Sequence, residues 1–227
     1  MKIDVVIPAH NEEKAIGHVL NEIPKALVSR IIVVDNASTD ETANMARASG
    51  AEVVKEDISG YGRACLRGLQ WLSESSHLPD IVVFLDGDYS DFPEYLPHLI
   101  RPIVENKADL VIGSRALGHA ERGAMTVPQL FGNWLATRLI KIFFGYQFTD
   151  LGPFRAIRYS SLTSLNMQDK DYGWTVEMQV KAAKNRLRCT EVPVPYRKRI
   201  GTSKISGTIK GTFLAGNKIL WTIFKSI

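Results

Sequence analysis

The stretch Ile81-Val-Val-Phe-Leu-Asp-Gly-Asp-Tyr-Ser-Asp91 constrains the fold more than any other part of the chain. Five apolar residues run straight into two carboxylates separated by one glycine, and a third acid, Asp91, follows shortly after and reads as a turn acid. A run this short, β-branched and bounded by polar residues is a strand buried in a parallel sheet. Such sheets gather ligands beyond the carboxyl ends of their strands. In extended chain Asp86 and Asp88 project to the same side, and Gly87 between them admits a closely approaching ligand. Two hard oxygen ligands at a strand end suit a Mg²⁺ or Mn²⁺ that completes its shell with phosphate oxygens. The same residues also make an ordinary turn, so the stretch alone leaves the two readings evenly balanced. An EF-hand is excluded, because Asp91 stands where that loop needs glycine and Pro97 where it needs glutamate.

At 227 residues, 45% hydrophobic and 23% charged, the chain has the length and composition of one soluble α/β domain. A net charge of +4 is too small to argue for nucleic acid. Its distribution is more telling: Arg186, Arg188, Arg197, Lys198, Arg199, Lys204, Lys210 and Lys218 crowd the last fifth, which favours phosphate groups or an anionic membrane surface. Cys65 and Cys189 show no metal-ligand spacing and fit buried thiols in a reducing cytoplasm. The N-terminus resembles a strand interrupted by an acid and not a signal peptide, and no apolar run reaches transmembrane length. The expectation is a cytoplasmic protein, soluble or peripheral on the inner face of the membrane.

Taken in order, the pattern predicts strands over Ile3–Pro8, Ile31–Val34, Glu52–Lys55, Ile81–Leu85 and Asp109–Ile112. Between them it predicts helices over Glu12–Glu22, from Ser38 (a capping box with Glu41), from Ser59 to Ser73, and over Glu94–Glu105. This alternation implies right-handed crossovers and an α/β, Rossmann-like, mostly parallel sheet flanked by helices. Beyond Gly113, Arg115–Met125 reads as a loop. Gln129–Phe144 is an apolar helix, Phe148–Ile157 supplies a strand or two, Thr175–Asn185 is a helix and Arg188–Val194 a strand. Ser206–Phe224 is a final amphipathic helix. Residues 1–115 would then form a ligand-binding half, 116–205 an acceptor half, and 206–227 the closing helix, all in one domain.

Pro8-Ala-His-Asn-Glu-Glu13, Asp35-Asn36 and Asp86-Gly-Asp88 all fall where the sheet's carboxyl edge belongs. Asp35 could accept hydrogen bonds from a ribose or base, although locally a turn role explains it better. Gly60-Tyr-Gly62-Arg63 opens a helix and could leave amides free for phosphate; a plain loop explains it nearly as well.

In this order and at this spacing, Ile7-Pro-Ala-His-Asn-Glu-Glu, Val33-Val-Asp-Asn-Ala-Ser-Thr-Asp, Gly60-Tyr-Gly-Arg-Ala and Leu85-Asp-Gly-Asp resemble family 2 glycosyltransferases with the GT-A fold. Gly113-Ser-Arg115, Thr149-Asp-Leu-Gly-Pro-Phe-Arg155, Glu177 and Arg199-Ile-Gly-Thr-Ser-Lys204 are similar to the dolichyl- or polyprenyl-phosphate sugar transferase branch. The resemblance implies a metal-dependent inverting transferase that uses a UDP- or GDP-sugar. By it, Pro8, Ala9, Asn11, Glu12, Asp35 and Gly60 would hold the donor nucleoside. Asp86 and Asp88 would hold the Mg²⁺ or Mn²⁺ and diphosphate, and Arg115 would touch sugar or phosphates. Asp150 would face the reacting sugar, Glu177 would line the acceptor side, and Arg199, Ser203 and Lys204 would close on the phosphates. His10 and Asn36-Ala37 depart from the family's usual tyrosine and Asp-Gly, which loosens the choice of base.

A hydroxyl acceptor needs a general base, for which Asp150 or Glu177 is the candidate; a phosphate acceptor needs none. The aromatic helices, with Trp134, Phe143, Phe144, Trp221 and Phe224 beside Lys and Arg, fit core, a homodimer interface or a membrane-interfacial surface. The rivals are a haloacid-dehalogenase-type phosphatase, which would carry Thr or Val at Ser90, a nucleotidyltransferase, which needs a different loop after the first strand, and a non-catalytic nucleotide-sugar-binding module.

Overall fold

This computed structural model describes residues 1–201 and 209–227, without the side chains of 209–213, so Ser203 and Lys204 lie outside the described residues. The apolar runs form strands β1 (Ile3–Ala9), β2 (Arg30–Asn36), β3 (Glu52–Glu56), β4 (Ile81–Phe84), β5 (Leu110–Ser114), β6 (Arg155–Arg158) and β7 (Cys189–Pro193). They make one sheet in the order β3-β2-β1-β4-β6-β5-β7. Every pairing is parallel except those of β6, which runs antiparallel to both β4 and β5.

The helices are α1 (Ile16–Glu22), α2 (Thr42–Ala48), α3 (Tyr61–Ser73), α4 (Leu96–Val104), α5 (Val127–Phe144), α6 (Tyr159–Leu165), α7 (Trp174–Lys184) and α8 (Ile209–Lys225). They cover both faces of the sheet, which is why β1 and β4 are apolar at successive positions instead of alternating. Val6, Val34, Val82 and Phe84 pack with α3, α5 and α7 on one face. Val5, Ile7, Val83 and Leu85 pack with α1 and α4 on the other.

The strand order reverses between β1 and β4, so their carboxyl ends diverge into a crevice, the usual ligand position in such sheets. Antiparallel β6 serves the same edge from the opposite direction. The chain must return to that edge before entering β6, and this carries Thr149–Phe154 to the mouth of the crevice.

Local details depart from the sequence expectations. α1 begins at Ile16 and not Glu12, because the Glu12 amide donates to Thr42 Oγ1 at the start of α2 and residues 12–15 form a turn. Ser38 caps no helix: its Oγ accepts the Asn11 amide, and Asp40 takes the Thr42 amide at the start of α2. Among the described residues a capping box lies instead at Thr126 and Gln129, before α5. Within Phe148–Ile157 only the last residues become strand.

Candidate active site

Asp86 and Asp88 follow β4 at the crevice, as their spacing requires. Asp86 Oδ1 accepts the Tyr61 hydroxyl at 3.1 Å. Asp88 Oδ1 accepts both the amide and hydroxyl of Ser90, and its Oδ2 lies 3.2 Å from Arg199 Nη1. Arg199 Nη2 reaches Glu12 Oε1 at 3.0 Å, so one guanidinium joins the ends of β1 and β4.

Asp91 corrects the sequence reading, which leaves it as a turn acid. It is 2% exposed, and its Oδ2 accepts the Asp86 amide at 3.3 Å. Three carboxyls thus crowd one turn. Burial, then the neighbouring Asp88 charge, pushes Asp86 up to about 7. Burial, then Asp86 and Asp88, pushes Asp91 well above the ordinary carboxylate range. Crowding of this kind is relieved by a cation. Among the described residues no three His, Cys, Asp or Glu side chains form a ready-made metal cage. The donor set therefore fits a hard divalent ion that takes most of its ligands from a substrate.

The loop after β4 is held by a residue that sequence reasoning assigns to phosphate. Arg197 pairs with Glu22, donates to the carbonyls of Tyr89 and Asp91, and lies over the rings of Tyr89 (3.4 Å) and Phe92 (4.2 Å). Backbone bonds from Arg197 to Ser90 and from Ile200 to Asp88 complete the junction. Its side chain is committed to this junction. Arg197→Ala is expected to cost about 2–4 kcal/mol of unfolding free energy through the orphaned carbonyls and carboxylate. Urea denaturation checks this, and a loss below about 0.5 kcal/mol, the ordinary surface value, would contradict it.

Beyond β5, Arg115 donates from its amide and Nε to Asp150 Oδ2 (2.7 and 2.8 Å) and from Nη2 to Oδ1 (2.7 Å). Asp150 is fully buried. Its loop is framed by Glu191, which accepts the Thr149 and Asp150 amides, and by Asn133, which bonds Thr149 and Leu151. Burial lowers the affinity of Arg115 for its proton, but the Asp150 charge and hydrogen bonds more than reverse this. Arg155, at the start of β6, is fully buried and donates to carbonyls of Leu151, Gly152 and Thr175; burial lowers its pKa to about 10.

Glu177 accepts the Gln168 and Asp169 amides and pairs with Lys181 at 2.7 Å. Neither Asp150 nor Glu177 lines the cleft, and every carboxylate oxygen of both is engaged, which does not suit the base role expected of them. Three of the four amides opening α3 are not free either. Gly62 and Arg63 donate to the carbonyls of Asp171 and Lys170, and Gly60 to Asn36 Oδ1. A Cβ on Gly60 or Gly62 would run into the carbonyls of Lys170 and Asp169, which is the physical need for glycine there.

The cleft has two arms that meet at Asp86, Asp88, Tyr61, Tyr172 and Arg199. The first, about 290 Å³, is lined by Pro8, Ala9, His10, Glu12, Asn36, Ser59 and Gly60. The second, about 270 Å³, runs past Arg115 between α5 and α8. Asn11 and Asp35 line neither arm. Asn11 Oδ1 accepts the Thr39 amide, while Asp35 is buried with Oδ1 unpartnered among the described residues. The sequence reading missed Tyr61 and Tyr172, whose aromatic character beside glycine was the available signal.

A family model for glycosyl transferase family 2 matches residues 4–165. The chain belongs to glycosyl transferase family 2. This family 2 glycosyltransferase is 31% identical to an undecaprenyl-phosphate mannosyltransferase of Micrococcus luteus, over 93% of this chain and 90% of the relative. It is 32% identical to a dolichyl-phosphate hexose transferase of Haloferax volcanii, over 88% and 85%. Its fold is similar to that of glucosyl-3-phosphoglycerate synthase from Mycobacterium tuberculosis, crystallised with Mn²⁺, UDP-glucose and phosphoglyceric acid. That match has a TM-score of 0.78 and 26% identity, covering 99% of this chain and 79% of the other. The enzyme thus has the GT-A architecture expected from its motifs.

Proposed function

We propose that this glycosyltransferase moves a hexose, with inversion, from a UDP- or GDP-sugar to the phosphate of a polyprenyl phosphate. The observation that carries this reading is the single cleft with two unlike arms. A polar arm floored by strand ends meets a second arm walled by helices, and the acids and Arg199 stand at their junction. The names of the Micrococcus and Haloferax relatives support a lipid-phosphate acceptor.

In this reading Pro8, Ala9, Glu12 and Gly60 hold the nucleoside, and Asp86 and Asp88 hold Mg²⁺ or Mn²⁺. The ion supplies charge against the departing diphosphate. Arg199, 3.2 Å from Asp88 Oδ2, would supply more, and Arg115 faces the second arm where the acceptor phosphate would enter. Breaking the sugar–phosphate bond develops positive charge on the sugar and negative charge on the leaving group. Fixed cations aimed at the latter lower the barrier without reorganising. An acceptor phosphate is already an anion, so the reaction needs no base. Asp150 then acts through Arg115, and Glu177 through the loop that carries Tyr172.

Calorimetry with UDP- and GDP-sugars in Mn²⁺ tests the donor half. One nucleotide class should bind, and chelation should abolish the heat. No binding of either class at millimolar concentration would overturn the reading.

A further inference from the structure

A donor whose nucleoside fills the first arm of the cleft, and whose sugar is attacked from the second, must place that sugar where the arms meet. Five side chains stand there: Asp86, Asp88, Tyr61, Tyr172 and Arg199. Four of them are already engaged. The Tyr61 hydroxyl donates to Asp86 Oδ1, and Arg199 spans Asp88 and Glu12. Tyr172 is the exception. It is half-buried and borders both arms, yet among the described residues its hydroxyl has no hydrogen-bond partner.

The loop that carries Tyr172 is nevertheless held from three sides. Glu177, in the first turn of α7, accepts the Gln168 and Asp169 amides. Asp169 in turn accepts the Asp171 and Gly173 amides and pairs with Lys218 of α8 at 3.0 Å. From α3, the Gly62 and Arg63 amides donate to the carbonyls of Asp171 and Lys170. A Cβ on Gly173 would come within 2.5 Å of Asp169 Oδ2 and 2.6 Å of Thr222 Oγ1, so the residue after Tyr172 has no room for a side chain. The surroundings thus fix the phenol's backbone while leaving its hydroxyl unused, the arrangement of a contact prepared for a ligand.

The chemistry of a phenol suits a sugar. Its ring offers an apolar face to C–H groups, and its hydroxyl both donates and accepts. A diphosphate gains no compensating charge from it, whereas a hexose hydroxyl can use it in either direction.

We propose that Tyr172 contacts the transferred sugar and helps to set which hexose is accepted. Its hydroxyl bonds one sugar hydroxyl and its ring lies against the sugar. This rests on the nucleotide-sugar reading above.

Calorimetry of the full chain in Mn²⁺ with UDP, UDP-glucose, GDP and GDP-mannose is the test. In Tyr172→Phe, Kd for the bare nucleotide that binds should stay within about twofold of the parent. Kd for its nucleotide-sugar should rise roughly fivefold, the scale of one neutral hydrogen bond. Tyr172→Ala should raise it roughly thirtyfold, as the ring contact goes too. Among donors lacking a single sugar hydroxyl, one should bind the parent about fivefold more weakly than the intact donor and lose nothing further in Tyr172→Phe. Retained nucleotide binding shows that each variant is folded. Equal weakening of nucleotide and nucleotide-sugar would assign Tyr172 to the diphosphate and overturn the proposal. So would unchanged nucleotide-sugar binding in both variants, including the case where only KM for polyprenyl phosphate rises. If neither UDP nor GDP compounds bind the parent, the donor reading itself fails and the inference falls with it.

Discussion

Asp88→Ala is expected to lower sugar transfer by a factor of about 10³, with the fold intact. Single charge-stabilising groups at such sites account for roughly 10²–10³ in rate. Asp88 should exceed that range's middle because it does two things. It is one of two proposed metal ligands, and its Oδ2 fixes Arg199 at the junction of the cleft's arms. Stability should change by less than about 1–2 kcal/mol, since the lost acceptor for Ser90 is offset by relief of like charge on Asp86 and Asp91. The variant's transfer rate and urea midpoint are the measurements. Transfer within about tenfold of the parent would remove Asp88 from the chemistry.

Asp150→Ala is expected to lose about 3–5 kcal/mol of stability, the cost of leaving a buried ion without its partner. Arg115 would keep its place between the Tyr196 ring and the loop, with three donors to the carboxylate unmet. Activity should fall with it, because Arg115 is aimed by Asp150. Urea denaturation separates this positioning role from that of a base. A variant as stable as the parent that has lost transfer would make Asp150 a base in the reaction, and the clamp a side effect of its position.

Much of this site is legible in the sequence because it is made of strand ends. Runs such as Ile81–Leu85 leave little freedom in where the next residues go, so Pro8, Glu12, Asp86 and Asp88 can be placed together from the sequence alone. The residues that escape such reasoning are those whose partners come from far along the chain. Arg197 meets Glu22 across 175 positions, and no local pattern distinguishes a cation stacked on Tyr89 from one awaiting phosphate. Asp91 reads as a turn acid because its burial depends on packing around β4 and the 196–200 segment, which periodicity does not encode. Asp150 and Glu177 stand out in the sequence as unusual acids. Their engagement by Arg115 and by the Gln168 and Asp169 amides shows only in three dimensions. The antiparallel entry of β6, which brings Thr149–Phe154 to the cleft, is likewise hidden in a stretch without strand periodicity.

The most direct test of the proposed transfer is to supply the enzyme with Mn²⁺, a polyprenyl phosphate and the nucleotide-sugar that binds, and to determine the anomeric configuration of the product by NMR. The expected product is a sugar joined to the lipid's phosphate with configuration opposite to the donor's, formed only with the metal present. A product of retained configuration, or sugar released to water with none on the lipid, would contradict it.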